Sequence, residues 1–305
     1  MLEDHQAELH CFYPNLLVVI VLYGVSLGES LTYKTLDVAS RRLRQGEGDI
    51  QVLLYDNTPG GGTTSPLPKG VRYEAFGANL GLAAAYNRAL DMAQEQGFPW
   101  LLLLDQDTVL PKDFLVLLLE ELRRYESNSE VVAVVPIVRS GGVVVSPKRV
   151  GFLGLRAFSE RPRGIQDVEI ASINSGTAIR CDFARSIGGF SRAYWLDYLD
   201  HWLFRQIYAA GKKVAVSNCG LEHSLSVQDY RRNINLTRYR SILAGESAFM
   251  TTHKSKLQIP FYLLRLAARA VELSIHGQPD LALLTLSTMF KIGLHPKRSL
   301  EENPR

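Results

Sequence analysis

The stretch WLLLLDQD, residues 100–107, decides the fold. Five consecutive apolar residues lead directly into two aspartates that are separated by one glutamine. A short apolar run without alternation is typical of a strand that helices cover on both faces. In such α/β sheets, ligands bind beyond the carboxyl ends of the strands. The stretch therefore predicts a buried strand and, at its end, a binding site.

Similar strand and helix patterns lie on both sides of this stretch. Further strands are predicted from apolar runs at residues 16–23, 52–55, 71–76 and 131–138. The helical patterns between the strands cover residues 30–45, 82–96 and 111–125. We expect Gly97 to end the second of these helices and Pro111 to be the first residue of the third. This alternation predicts an α/β fold, a Rossmann-like, mostly parallel sheet with helices on both faces.

The second half of the chain has a less regular pattern. Residues 151–167 predict a loop or hairpin, and residues 170–180 predict a strand interrupted by Asn174-Ser175-Gly176-Thr177. A helix over residues 199–210 and a strand over residues 213–217 follow, and the pattern is helical from Tyr230 onward. We therefore divide the chain into an α/β region, residues 14–228, and a helical C-terminal region, residues 229–305.

Composition excludes several classes of protein. Of 305 residues, 46% are hydrophobic and 21% are charged, as in ordinary globular proteins. A net charge of +3 is too small to indicate a nucleic-acid partner. Cys11, Cys181 and Cys219 are widely spaced, which favours reduced thiols over a zinc site or a disulfide framework. Residues 1–10 do not resemble a signal peptide and no apolar run reaches spanning length, so we expect a cytoplasmic protein, attached at most to a membrane surface.

The acidic triplet Asp105-Gln106-Asp107 is the first candidate site. Two carboxylates one residue apart at a strand end can turn toward one ligand, and their hard oxygens suit Mg²⁺ or Mn²⁺. A diphosphate leaving group needs such charge neutralisation. An isolated triplet of this kind is more often a solvated turn, and its position after a buried strand is what favours a site.

Polar residues follow the neighbouring strand and open the next helix. Asp56 is a candidate acceptor of a hydrogen bond from a nucleobase N–H, and Asn57 is a candidate for fixing the turn. Ordinary Asx-turn chemistry is the alternative explanation for both. Asn79 is a good N-cap type, Gly81 lets a backbone approach closely, and Asn87 needs partners if it is buried. Capping and packing are the alternative explanation for the two asparagines.

Residues 195–202, WLDYLDHW, form the densest polar and aromatic cluster. Asp197, Asp200 and His201 are all eligible as a general base, and the two aspartates are neighbours if that turn is helical. The alternative is capping of the helix that follows. His223 is more often a structural residue, and it becomes a metal or diphosphate contact if its loop folds back over Asp107.

The C-terminal region contains basic and amphipathic patterns. Four arginines can neutralise a diphosphate or an anionic lipid head, or form a solvated face: Arg231, Arg232, Arg238 and Arg240. Residues 257–277 predict an amphipathic helix whose polar side carries Arg265, Arg269, Glu272 and His276. Packing of this helix against the α/β region is favoured over peripheral membrane contact.

Taken in order, these segments resemble the inverting glycosyltransferases of family 2, which have the GT-A fold, and among them the bacterial rhamnosyltransferases of surface polysaccharide synthesis. The resemblance extends from about residue 16 to residue 225. Its matching segments are residues 18–23, 55–57, 79–87, 101–108, 174–177, 188–190 and 196–205.

The resemblance implies a role for each matching residue. The donor pocket comprises Tyr23, Asp56, Asn79, Gly81, Asn87, Asp105 and Gln106. Asp56 would contact the pyrimidine base, Asp105 the ribose or metal, and Asp107 the cation, with His223 near the diphosphate. Asp200 would be the base that deprotonates the acceptor hydroxyl, with Asp197 as the fallback. Related chains usually have a second acid shortly after the base, whereas His201 follows Asp200 here.

The implied activity is transfer of rhamnose from dTDP-rhamnose, with Mg²⁺ or Mn²⁺, onto a saccharide or lipid-linked saccharide. Residues 14–138 would bind the nucleotide and residues 139–228 the acceptor. The alternatives are a UDP-sugar donor on the same fold and a catalytically silent sugar-nucleotide-binding protein.

Overall fold

The computed structural model of the protein describes residues 15–43, 49–62, 66–223 and 234–294. In the first half, strands and helices alternate as predicted. The strands are β1 (Leu16–Leu22), β2 (Ile50–Asp56), β3 (Val71–Ala75), β4 (Trp100–Asp105), β5 (Thr108–Val109) and β6 (Val131–Ser140). The helices are α1 (Leu31–Ser40), α2 (Gly81–Gln96) and α3 (Phe114–Arg124).

The second half contains shorter strands. They are β7 (Val143–Ser146), β8 (Lys148–Gly151), β9 (Gly154–Arg156), β10 (Gly164–Ile165), β11 (Ile170–Ala171), β12 (Ala178–Arg180) and the longer β13 (Lys213–His223). Helices α4 (Cys181–Ser186) and α5 (Leu199–Ala209) lie between them. The C-terminal helices are α6 (Leu236–His253), α7 (Ile259–Ile275) and α8 (Pro279–Leu294).

One central sheet organises the α/β region. Its strand order is β10-β13-β6-β12-β4-β1-β2-β3. Strands β3, β2, β1 and β4 run parallel to one another, and β6 runs parallel to β13, whereas β12 is antiparallel to both β4 and β6. The predicted α/β class with a mainly parallel sheet is confirmed.

The apolar runs are continuous because both faces of the sheet are covered. All seven residues of β1 are buried, and alternate side chains enter two different clusters. Leu17, Val19 and Val21 pack with residues of α2, while Leu16 and Val18 pack with residues of α1 and α3. Burying one such side chain is worth roughly 1.5–3 kcal/mol, so β1 anchors both layers.

Several predicted boundaries differ from the observed ones. Helix α3 begins at Phe114, because Pro111 lies in a preceding turn whose carbonyl accepts a hydrogen bond from the Phe114 N–H at 3.0 Å. Helix α1 ends at Ser40, one residue after Ala39, its last buried side chain. Residues 170–180 form two short strands, and β13 continues beyond Ser217 to His223. Gly97 ends α2 in the left-handed conformation, as expected.

The C-terminal helices form a separate apolar cluster. Its buried residues are Tyr239, Leu243, Tyr262, Leu266, Leu281 and Ile292. The buried face of α7 therefore packs on α6 and α8 rather than directly on the central sheet, and α6 joins the main core through Ala248 and Phe249. No helix within the described ranges is long and apolar enough to cross a membrane.

A buried carboxylate ties α7 to α6. Glu246 is 2% exposed, and its oxygens lie 2.6 Å from Arg269 Nη1 and 3.2 Å from Arg265 Nη2. The polar side predicted for α7 is thus partly turned inward. A buried charge needs such partners, because its desolvation is otherwise uncompensated.

We predict that Arg269→Met lowers the free energy of unfolding by about 3 kcal/mol, since it leaves a buried carboxylate with a weaker partner. Arg41→Met is the matched control, because Arg41 pairs with Asp37 on the surface, and its effect is expected to stay within about 0.5 kcal/mol. Urea unfolding followed by circular dichroism measures both variants. Equal losses in the two would contradict the structural role of Glu246.

Candidate active site

Strand register brings the acidic residues to one edge of the sheet. In the parallel pairing around β1, Val21 lies opposite Asp105 and Leu22 lies opposite Asp56. The two aspartates therefore flank the carboxyl end of β1, one on each neighbouring strand. This is the edge at which the sequence predicted a ligand site.

Hydroxyl groups fix the main chain of the acidic triplet. Thr32 Oγ1 lies 2.5 Å from the carbonyl oxygen of Asp105 and accepts a hydrogen bond from the Thr108 N–H at 2.8 Å. Ser30 Oγ donates to the carbonyl of Gln106 at 2.9 Å, and Ser175 Oγ accepts from the Asp105 N–H at 3.0 Å. The start of α1 and the 174–177 turn thus hold the peptide groups of the triplet, which orients its side chains in advance.

The side chain of Gln106 forms hydrogen bonds with the loop that follows β1. Its side-chain oxygen accepts a hydrogen bond from the Tyr23 N–H at 2.7 Å, and its Nε2 donates to the Tyr23 carbonyl at 3.2 Å. Thr58 Oγ1 accepts from the next N–H, that of Gly24, at 2.8 Å. The side chain of Tyr23 is half exposed above these contacts. Gln106 therefore positions Tyr23, and its part in donor binding stays a prediction.

Asp56 and Asn57 both connect the end of β2 to its surroundings. Asp56 Oδ1 accepts from the Thr58 N–H at 2.8 Å, the Asx turn given as the alternative, and its Oδ2 accepts from the Tyr73 hydroxyl. Burial and then this hydrogen bond raise the pKa of Tyr73, so the phenol stays a donor. Asn57 accepts from the Leu80 N–H at 3.1 Å. A carboxylate has about four lone-pair sites, so Asp56 keeps capacity for a ligand N–H.

The expected close approach of a backbone at Gly81 is confirmed. Gly81 has φ +79°, and a Cβ there would lie 2.2 Å from the carbonyl oxygen of Trp195. The same oxygen accepts a hydrogen bond from the Ala83 N–H at 3.2 Å. Leu80 rather than Asn79 occupies the N-cap position of α2, and Asn79 Oδ1 accepts from the Gly81 N–H at 3.0 Å. The segment preceding Asp197 therefore covers the N-terminus of α2.

Both the oxygen and the nitrogen of the Asn87 side-chain amide form hydrogen bonds within the protein. Its Nδ2 donates to the Phe190 carbonyl and its Oδ1 accepts from the Phe190 N–H, each at 2.8 Å. Gly189 permits this contact, because a Cβ there would lie 2.5 Å from Asn87 Oδ1. Asn87 joins α2 to the 188–190 turn, and its influence on the nucleotide pocket stays a prediction.

The two candidate bases have different surroundings. Asp197 Oδ2 accepts hydrogen bonds from Arg238 Nη1 at 2.7 Å and from Ser241 Oγ at 3.0 Å. Burial raises the pKa of Asp197, and Arg238 acts against that rise. Asp200 lies in the first turn of α5, where its Oδ1 accepts from the His201 N–H at 2.7 Å. Tyr198, in the left-handed conformation with φ 65°, separates the two aspartates, so they do not share a helical turn.

Tyr86 is a buried residue of α2 that sequence reasoning missed. Its ring is fully buried, and its hydroxyl has no hydrogen-bond partner within the described parts of the chain. Burial first, and then the charges of Asp105 and Asp200, raise the pKa of Tyr86 well above its usual value. Both carboxylates therefore act on one buried phenol. An Ala-rich helical pattern gives no signal for such a contact, whereas the N-cap type of Ser30 could have drawn attention to α1.

The last part of β13 returns to the triplet. His223 pairs with Thr108 and Glu222 pairs with Val109 in antiparallel register. The condition set for His223, a chain that folds back toward Asp107, is met at the level of the backbone. Within the described ranges no three His, Cys, Asp or Glu side chains form a metal-binding group. Two carboxylates still suit Mg²⁺, which takes many of its ligands from water and phosphate oxygens. Arg231 and Arg232 lie outside the described residues.

We predict that Gly81→Ala destabilises the protein by about 3 kcal/mol, from left-handed strain plus overlap with Trp195. Gly97→Ala is the matched control, because Gly97 also has positive φ but no atom within 4 Å of its added Cβ. Its expected cost is about 1 kcal/mol. Urea unfolding separates the two, and equal costs would show that the Trp195 contact is readily relieved.

Comparisons with known proteins identify the family of this chain. The sequence profile of Glycosyl transferase family 2 matches residues 18–188, more than half of the chain. No curated protein sequence matches the chain. The chain is similar to the crystal structure of S. aureus TarS 1-349, with TM-score 0.47 and 11% identity over 92% of this chain and 91% of that one. For the longer S. aureus TarS structure the TM-score is 0.46 at 11% identity, and the match covers 94% of this chain and 55% of that one. The extent of the family match establishes that this chain belongs to glycosyl transferase family 2.

Proposed function

We propose that this glycosyltransferase moves rhamnose from dTDP-rhamnose to a saccharide or lipid-linked saccharide, with inversion at the anomeric carbon. The observation that carries the proposal is the shared edge of the sheet, where Asp56 and Asp105 flank the end of β1. The choice of rhamnose rests on the resemblance in the order of the motifs. A UDP-sugar donor is the alternative that the same acidic edge would serve.

The donor site divides into a base end and a diphosphate end. In this proposal Asp56 accepts a hydrogen bond from the pyrimidine, on the lone pairs that Tyr73 and Thr58 leave over. Asp105 and Asp107 would hold Mg²⁺ or Mn²⁺, which would neutralise charge on the departing diphosphate. His223 belongs to the same end, because its backbone pairs beside Thr108.

Asp200 is the better of the two candidate bases. A general base needs a carboxylate oxygen within reach of the acceptor hydroxyl and free to take its proton. Asp197 directs Oδ2 to Arg238 and Ser241, which fixes the loop against α6. The charges of Asp200 and Asp105 both raise the pKa of the buried Tyr86 phenol. We therefore assign proton removal to Asp200 and a positioning role to Asp197.

We also propose that α7 and α8 attach the protein to the inner face of the cytoplasmic membrane. Each helix carries exposed apolar residues at positions i, i+7 and i+11, which places them on one stripe: Leu264, Val271 and Ile275 on α7, and Leu283, Phe290 and Leu294 on α8. All six are at least 60% exposed. Exposed apolar surface of this extent is typical of membrane or protein contacts.

We predict that Asp200→Asn lowers kcat about 1000-fold with little change in the KM for donor, because it removes the base but no donor contact. Asp107→Asn is expected to raise the concentration of Mg²⁺ or Mn²⁺ needed for half-maximal rate. Asp91→Asn is the control, an exposed carboxylate on α2 whose loss leaves both parameters unchanged. The measurement is transfer and donor hydrolysis with a panel of dTDP- and UDP-sugars.

Three results would contradict parts of this assignment. Full activity of Asp200→Asn would show that Asp200 is not the base. Faster turnover of UDP-sugars than of dTDP-rhamnose would show that the donor is a UDP-sugar. Nucleotide binding without any turnover favours the silent binding protein.

We predict that Leu264→Glu lowers the partition of the protein onto phosphatidylglycerol-containing vesicles about tenfold, because it removes a side chain worth about 1.5 kcal/mol or more from apolar contact. Val143→Glu is the control, since Val143 is equally apolar and 64% exposed but belongs to the α/β region. Co-sedimentation measures both. Equal vesicle binding by Leu264→Glu and the unsubstituted protein would show that α7 does not contact the membrane.

A further inference from the structure

A second cavity lies between the acceptor half and the C-terminal helices. It encloses about 580 Å³, and its walls come from the β8–β9 hairpin, α5, α6 and α7. Gln258 Nε2 donates to the carbonyl of Phe152 in the hairpin turn, which ties that wall to the start of α7. None of the acidic triplet, Asp56 or Asn79 lines it. The cavity is therefore distinct from the donor site.

Two cations that face this cavity form no ion pair with a described carboxylate. Arg205 on α5 and Lys254 at the end of α6 both line it, both are half-buried, and neither forms a hydrogen bond or ion pair with a described residue. Burial lowers the pKa of Lys254, the charge of Glu169 raises it, and the charge of Arg205 lowers it. Glu169 also lines the cavity but is exposed to solvent. By contrast, the nearby Arg269 is neutralised by Glu246. Two like charges in one partly closed cavity favour a bound anion.

The mouth of the cavity is apolar. Phe152 and Leu153 in the hairpin turn and Phe261 on α7 are each more than half exposed. The rings of Phe152 and Phe261 meet edge to face, with centroids 6.0 Å apart. Deeper in, the walls are aromatic, with Phe249, Tyr198 and Tyr262. A ligand that fits this lining has an anionic head and an apolar chain.

We propose that this cavity binds a phosphorylated amphiphile, with its phosphate between Arg205 and Lys254 and its chain against Phe152, Leu153 and Phe261. This inference rests on the proposed function in one respect: it assigns the ligand as the lipid carrier of the acceptor. Tyr198 and His201 line the cavity and alternate in sequence with Asp197 and Asp200. The head of the amphiphile is thereby placed beside the segment that carries the base.

A free phosphate ion does not account for the whole cavity. It would satisfy Arg205 and Lys254 but leave the apolar mouth exposed to water. An uncharged lipid would cover the mouth, but it would leave Arg205 without a hydrogen-bond partner and Lys254 with only the ring of Phe249, 5.7 Å from its Nζ. Only a molecule with both parts matches the two halves of the lining, so we commit to the lipid phosphate.

Decyl phosphate is the probe for this proposal, used below its micelle concentration with the full chain in calorimetric titration. We expect saturable binding of one molecule per chain, at least tenfold tighter than inorganic phosphate and than decyltrimethylammonium. Arg205→Gln and Lys254→Gln are each expected to weaken it about tenfold, the usual size of one charge-assisted hydrogen bond. Arg42→Gln, which removes an exposed cation after α1, is expected to leave it unchanged.

The apolar part and the link to catalysis have their own controls. Phe261→Ala is expected to weaken decyl phosphate and leave inorganic phosphate unaffected. Asp200→Asn is expected to bind decyl phosphate normally, so binding remains measurable even if the proposed transfer reaction is wrong. Unchanged affinity in both Arg205→Gln and Lys254→Gln overturns the site. Equal affinity for decyl phosphate and inorganic phosphate would show that the cavity does not bind the apolar chain, which overturns the proposal of an amphiphilic ligand.

Discussion

The register of β1 between β2 and β4 is the constraint on which the candidate site depends. Side chains alternate between the two faces of a strand, so a slip of β2 or β4 by one residue against β1 would turn its side chains to the opposite face and shift Asp56 or Asp105 along the edge. Burial on both faces prevents that slip, because every residue of β1 is in one of the two layers. The acidic edge is therefore fixed by apolar packing that lies entirely behind it. The geometry of the candidate site therefore depends on the packing of leucines and valines.

Polar contacts then complete what the strands begin. The peptide groups at Asp105 and Gln106 form hydrogen bonds with the hydroxyls of Ser30, Thr32 and Ser175. These bonds restrict the main chain and thereby orient the Asp105 carboxylate. Trp195 provides a comparable link between the halves, since its carbonyl caps α2 where Gly81 leaves room. The N-terminus of α2 and the segment that carries the candidate bases thus share a peptide contact, and neither is built independently. Preorganisation of this kind is what allows charged groups to act without rearranging.

The sequence allowed the strands, most helices and the acidic edge to be predicted, because apolar runs and strand-end carboxylates leave local signals. The predicted helix and strand boundaries were less accurate in two places. Pro111 lies in a turn before α3 instead of in its first helical position, and strand pairing extends β13 to His223. Contacts between distant residues left no such signal. The bond from Gln106 to Tyr23, the buried phenol of Tyr86 and the arginines around Glu246 all depend on which elements meet in space. Asn87 was correctly expected to need partners, although Phe190 as the partner followed only from the fold.

The buried Glu246 also has a consequence for the order of folding. It precedes Arg265 by 19 residues and Arg269 by 23, so α6 leaves the ribosome before the arginines that neutralise its carboxylate. Burial of an unpaired carboxylate is strongly unfavourable, and α6 therefore docks fully only after α7 has been synthesised. Helix α6 in turn supplies Arg238 and Ser241 to Asp197. The loop that carries the candidate base is thus completed only after a later part of the chain has been made, and a nascent chain ending before α7 carries an unfinished site.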